Sequence, residues 1–260
     1  RAGKHIITTR IEHASVHEPL AFLEELGYQV TYLPVDKNGQ VSPSELEKAL
    51  TEETILVSIM LVNNEIGAVE DVKTLSEIVH SYNPKILFHV DAIQAYGKYH
   101  IVPKRLGIDL MSVSGHKLHG PKGVGFLYMR DKAKVRPLIY GGGQQKGFRS
   151  GTENVPGIAG LGVAAELFSK NRSTYVEQMY ACNKHLIEGL EVLEDVTVNG
   201  VSGLPLEETA PHIVSASFAG VRSEVLLHAL AEKGVFVSSG SACSSNHPEL
   251  SGTLKSIGVA

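Results

Sequence analysis

The chain has 260 residues, 43% hydrophobic and 20% charged, enough apolar material for one large core and part of a second. Its 24 basic and 28 acidic residues form no basic cluster, which argues against nucleic acid as a partner. The longest apolar run, residues 55–62, is too short to cross a bilayer, no secretory leader opens the sequence, and two cysteines make no disulfide framework, so a cytoplasmic setting is expected.

Residues 6–9 read as a β-strand. A helix follows, with Val16, Leu20, Leu23 and Leu26 on one face and Gly27 placed to end it. Residues 29–33 form a second strand. Ser42-Pro43-Ser44-Glu45 predicts a capping box, with proline at the first helical position, for a helix reaching Leu50. Residues 55–60 are a strand of the kind buried on both faces. The next helix carries Leu75, Ile78, Val79 and Tyr82 on one stripe and stops at Asn83-Pro84. Residues 86–90, 110–113 and 125–129 predict further strands. This alternation implies an α/β fold, a mostly parallel sheet sandwiched by helices with right-handed crossovers.

From Pro156 the pattern changes to two long helices, 156–168 and 175–193. The polar stretch Ser169 to Thr174 between them is the expected boundary between a large domain (1–170) and a smaller α+β C-terminal domain (171–260). A strand at 213–218, a helix from Ser223 to Lys233 stopped by Gly234, and a strand at 235–237 belong to the second. The sequence opens without methionine and ends on a half-finished helical pattern, so the fold is expected to be incomplete at both ends.

Ligands of open parallel sheets bind beyond the carboxyl ends of the strands, where this sequence places unusual polar residues. Asn63-Asn64-Glu65 follows one strand, Asp91 with Gln94 another, and Ser114-Gly115-His116-Lys117 a third. Singly, each is an ordinary turn or cap former. Together, a carboxylate and a lysine at neighbouring strand ends match the needs of pyridoxal phosphate: an acid to keep the pyridinium nitrogen protonated and an amine for a Schiff base. Taken alone, Lys117 reads equally as a surface lysine in a glycine-rich turn, and His13 more often as a capping or half-buried structural histidine. His89 and His119 read as structural, Cys182 as a buried helical cysteine, and the histidines show no metal-ligand spacing. Cys243 lies in a run of small, mostly polar residues that suits an accessible loop.

The segment Ser112-Val-Ser-Gly-His-Lys-Leu-His-Gly-Pro-Lys-Gly-Val-Gly125 resembles the cofactor-lysine motif of class V pyridoxal-phosphate enzymes, in particular the cysteine desulfurases. Further segments match the same family in the same order. They are Ile11-Glu-His-Ala-Ser15, Val62-Asn-Asn-Glu-Ile-Gly67, Phe88-His-Val-Asp-Ala-Ile-Gln94, Gly141-Gly-Gly-Gln-Gln-Lys-Gly-Phe-Arg-Ser-Gly-Thr-Glu-Asn154 and Ser238-Ser-Gly-Ser-Ala-Cys-Ser-Ser245. The resemblance implies that Lys117 carries the cofactor and moves the substrate Cα proton, that Asp91 pairs with the pyridine nitrogen, and that His13 stacks on the ring. It further implies that Gln94 bonds the ring's phenolic oxygen, Asn64 helps hold the substrate carboxylate, and Ser114 and His116 contact the phosphate. Thr152 is expected to reach the phosphate of a neighbouring subunit, which makes the protein a homodimer.

The implied reaction converts L-cysteine to L-alanine, with the sulfur held as a persulfide on Cys243 for an acceptor protein, in iron–sulfur cluster assembly or thiolation. A thiolate is required, and the loop around Cys243 offers no cation to stabilise one. The family's phosphate-binding turn and its substrate arginine are expected before Arg1 and after Ala260. Rival readings are a class V aminotransferase, which has no need of Cys243, a selenocysteine lyase, and a degenerate scaffold in sulfur transfer.

Overall fold

The computed structural model describes residues 3–131, 133–201, 203–239 and 251–259. In chain order the elements are β1 (His5–Thr9), α1 (Ala14–Glu25), β2 (Gln29–Leu33), α2 (Pro43–Ala49), β3 (Thr54–Met60), α3 (Val72–Tyr82), β4 (Leu87–Asp91), β5 (Leu110–Ser114), β6 (Gly125–Met129), α4 (Val155–Glu191), β7 (Val196–Asn199), β8 (Ser215–Phe218), α5 (Ser223–Glu232) and α6 (Gly252–Ser256). A six-stranded sheet runs β2-β1-β3-β4-β5-β6, parallel except for β6, which returns antiparallel along β5. β7 and β8 make a separate antiparallel pair.

Interior position explains the apolar strands. β1 is buried at every residue because β2 and β3 flank it. Ile7, Val57, Ile59, Phe88, Val90 and Met111 form a continuous core with Leu46 of α2 and Leu75 and Val79 of α3. Polar groups inside the sheet are paired. His89 meets Ser58 Oγ at 2.8 Å through Nδ1 and Ser112 Oγ at 2.9 Å through Nε2, and burial pushes it down to about 4, so it stays neutral. Asp109 accepts from the Phe88 amide at 2.9 Å and meets Arg130 Nε at 2.7 Å, tying the start of β5 to β4 and β6.

Several expectations change. The capping box is absent: Ser42 makes no side-chain cap bond, its hydroxyl meets Ser44 Oγ at 2.9 Å, and Glu45 pairs with Lys48 instead. Pro43 does occupy the first turn. Leu26 and Tyr82, placed on buried stripes by periodicity, are 55% and 46% exposed because each sits in the last turn or beyond the end of its helix. Residues 235–237 join no strand, whereas 196–199 do, as β7.

The largest change is α4, one helix of 37 residues where two were expected. The polar stretch Ser169 to Thr174 lies on its surface, and the boundary placed at residues 170/171 falls inside it. Solvent-facing polar residues cost a helix only about 0.5 kcal/mol each, and packing of Leu161, Phe168 and Asn183 on either side carries the helix through. Cys182 is likewise exposed rather than buried, since α4 buries only a narrow stripe. Replacing Ser173 with proline should therefore cost about 3 kcal/mol and visibly reduce helical circular dichroism. A linker at this position would tolerate the same change.

Candidate active site

Because β3, β4 and β5 are parallel, their carboxyl ends open on one edge, with Met60 beside Asp91 and Asp91 beside Ser112. Asp91, 5% exposed, ends β4, and its Oδ1 accepts the Ile93 amide at 2.9 Å. Burial pushes its carboxyl up, while the Ile93 amide and His13 pull it back. His13 caps α1: Nδ1 accepts the Ser15 amide at 3.1 Å and meets Ser15 Oγ at 2.8 Å. An accepting Nδ1 assigns the proton of neutral His13 to Nε2. The capping reading of His13 is the one these bonds show.

After β5 the chain tightens into a 3₁₀ turn, Gly115–Leu118, which leaves Lys117 and His116 exposed. Gly115 donates to Val124 O at 2.9 Å, and Gly120 donates back to Gly115 O at 3.0 Å. Glycine is needed at 125, where a Cβ would lie 2.4 Å from the Val113 carbonyl oxygen. Ser114 Oγ and His116 Nδ1 meet at 2.7 Å, a polar pair at the mouth of the turn. His119, at φ 60, closes the turn in the left-handed region.

Asn63, fully buried, holds the loop after β3. Its Nδ2 donates to Ile11 O at 2.9 Å, and its Oδ1 accepts the Glu65 and Ile66 amides, each at 2.9 Å. That leaves its neighbour Asn64 half-buried at the edge. Glu65 bonds Ser251, the N-cap of α6, and so brings the segment after residue 250 beside this loop. Gln94 Oε1 accepts from His212 Nε2 at 3.2 Å. His212 reaches it because α4 fastens its segment: Asn183 Nδ2 donates to Ile213 O at 3.1 Å and Tyr180 donates to Thr209 O at 3.0 Å. Burial pushes His212 down to about 3, and Lys98 and Lys117 add to this.

The sheet edge therefore gathers His13, Asn64, Asp91, Gln94, Ser114, His116 and Lys117. Thr152 is exposed on the segment between β6 and α4, and Cys243 lies outside the described residues. Asn63, Glu12, His212 and Lys98 were not predicted. Asn63 stood in the motif, but nothing marked it as the anchor of the loop. His212 pairs with a residue 118 positions away, beyond any local pattern. Among the described residues no group of three or more His, Cys, Asp or Glu side chains is placed to hold a metal ion, and no helix is long and apolar enough to cross a membrane.

The sequence model of the aminotransferase class-V family matches residues 1–257. The chain belongs to that family. It is 46% identical over 258 residues to the cysteine desulfurase IscS of Dictyoglomus turgidum, covering 99% of this chain and 64% of that protein. The structure of a NifS-like protein superposes with a TM-score of 0.90 at 40% identity, covering 100% of this chain and 67% of that one. SspA in complex with cysteine gives 0.81 at 32% identity, covering 100% of this chain and 71% of that one. The chain thus spans just under two thirds of the length of the curated relatives it matches.

Members of this class-V family use pyridoxal phosphate, and the residues present fit it. A buried carboxyl at a strand end suits a pyridinium, Lys117 is exposed just past the next strand end, and Ser114 with His116 offers donors suited to a phosphate. Beneath them lies Glu12, whose Oε1 accepts the Met60 amide at 2.8 Å and the Thr9 hydroxyl at 2.9 Å, while Oε2 is buried without a partner among the described residues. Burial drives Glu12 up to about 8, the two hydrogen bonds oppose this, and Asp91 and Glu70 reinforce it.

The folded protein therefore keeps the Glu12 proton between the ordinary value of 4.5 and about 8, where the unfolded chain has released it. This group makes stability fall as pH climbs through that window. Melting temperatures at pH 5 and pH 8 should show a smaller drop for Glu12→Gln than for the wild type. Equal drops would mean that Glu12 is ionised in the fold.

Proposed function

We propose that this chain acts as a pyridoxal-phosphate-dependent cysteine desulfurase. The observation that carries the reading is the juxtaposition of buried Asp91 and exposed Lys117 at the ends of the adjacent parallel strands β4 and β5. When bound, the cofactor supplies an electron sink that stabilises negative charge at the substrate Cα.

Around it each side chain has one task. Asp91 would hold the pyridine nitrogen protonated, and His13 would offer its ring to the cofactor. Because His212 occupies Oε1 of Gln94, the Gln94 amide NH₂ would remain to donate to the ring's phenolic oxygen. Ser114 and His116 would bind the phosphate, Asn64 the substrate carboxylate, and Lys117 would hold the cofactor and carry the Cα proton. Cys243, as thiolate, attacks the substrate sulfur. The carbon–sulfur bond breaks, the carbon takes a proton, and L-alanine leaves with the persulfide remaining on Cys243. The sulfur balance is cysteine plus thiol to alanine plus persulfide, with no external oxidant. An acceptor protein then takes the sulfur, for iron–sulfur cluster assembly or thiolation, in a reducing setting such as the cytoplasm.

We also read the working unit as a homodimer. Leu138 and Tyr140 are 92% and 75% exposed immediately before the glycine segment that leads to Thr152. A second subunit covering this apolar surface would carry Thr152 to the partner's phosphate site.

The test is a visible spectrum of the full-length protein with pyridoxal phosphate, then addition of cysteine with assay of sulfide and alanine. The wild type should be yellow and yield both products, and Cys243→Ala should stay yellow while sulfide release is lost. A yellow protein that transaminates and is indifferent to Cys243→Ala would be an aminotransferase. One that takes up no cofactor would be a scaffold.

A further inference from the structure

Lys98 has no task in the chemistry above, yet it is buried to 9% exposure. None of the ion pairs among the described residues involves it. A buried ammonium without a counter-ion is costly unless it is hydrogen-bonded. Its Nζ donates to the backbone carbonyl oxygen of Lys117 at 3.1 Å, and it stands 5.8 Å from the centroid of the Phe168 ring. Lys117 faces it from the 3₁₀ turn, His212 from the segment before β8, and Phe168 from α4.

The local backbone is built for this approach. Gly97 is held at φ +86, and a Cβ there would lie 2.6 Å from Leu118 Cδ2 and 3.1 Å from Phe168 Cδ1. Only glycine lets the chain pass close enough to the turn for the next residue to reach back into it. The turn needs such a donor. A helical turn leaves its last carbonyls unpaired, the Gly120 amide is spent on Gly115 O, and Pro121 has no N–H to offer Lys117.

We propose that Lys98 is the positioning residue for Lys117, its ammonium clamping the Lys117 carbonyl so that the 3₁₀ turn presents the amine in one orientation. This rests on the reading of Lys117 as the cofactor lysine. Burial first, and Lys117 second, push Lys98 down to about 8. Its charge-assisted bond therefore weakens as pH rises through that value.

The experiment strips the full-length protein of cofactor, adds pyridoxal phosphate, and follows the rate at which the visible absorbance grows. Lys98→Met keeps the apolar stem against Phe168 and removes the charged donor; at pH 7 it should be slower by about tenfold. Lys98→Arg keeps a charged donor and should restore most of the rate. Because arginine does not titrate, the rate of Lys98→Arg relative to the wild type should rise above pH 8. That ratio decides the matter if Lys98→Met does not fold. A wild-type rate for folded Lys98→Met, or an Arg to wild-type ratio flat with pH, overturns the clamp. A wild type that develops no absorbance fails at the cofactor reading instead.

Discussion

Parallel pairing of β1, β3, β4 and β5 aims their carboxyl ends the same way, and the site depends on that constraint. Parallel strands need long crossovers, so residues far apart in sequence leave the sheet side by side. The loops that follow are then fixed by buried polar groups rather than by their own conformational preference. Asn63 satisfies two amides and a carbonyl at the end of β3. Glu12 ties the end of β1 to Met60, and Asp109 fixes the entry to β5. Each is paired on one side at least, as buried groups must be.

The interior also holds ionisable groups whose protonation is shifted by burial. Asp91 and Glu12 are buried acids whose carboxyls are pushed upward. Lys98 and His212 are bases pushed downward by burial and by their neighbours. Arranged for stability alone, such groups would be paired with one another or replaced by apolar side chains. Their perturbation is instead what a preorganised site shows, with fixed dipoles and charges waiting for a ligand that carries both signs. Pyridoxal phosphate, cationic at its ring nitrogen and anionic at its phosphate, is such a ligand.

Much of this was legible in the sequence. Residues 55–60 and 86–90 could be little else than buried strands, and the polar residues that follow them mark the ligand edge of a parallel sheet. The failures have physical causes. Ser169 to Thr174 has the composition of a linker, but a helix surface accepts the same residues when Phe168 and Asn183 are anchored on either side. β7 is four residues long and is defined by its partner β8 rather than by any pattern of its own. Cys182 has the helical setting of a core residue and lies on the uncovered face. Lys98 and His212 gain meaning only from a turn and a glutamine that the fold brings to them, and single-chain periodicity carries no such information.

The central claim is that the amine of Lys117 holds the cofactor. Borohydride reduction of the full-length protein loaded with pyridoxal phosphate, followed by proteolysis and mass spectrometry, fixes the attachment point covalently. The pyridoxyl group should be found on the peptide carrying Lys117. Its appearance on Lys98 instead, or on no residue of this chain, would contradict the assignment.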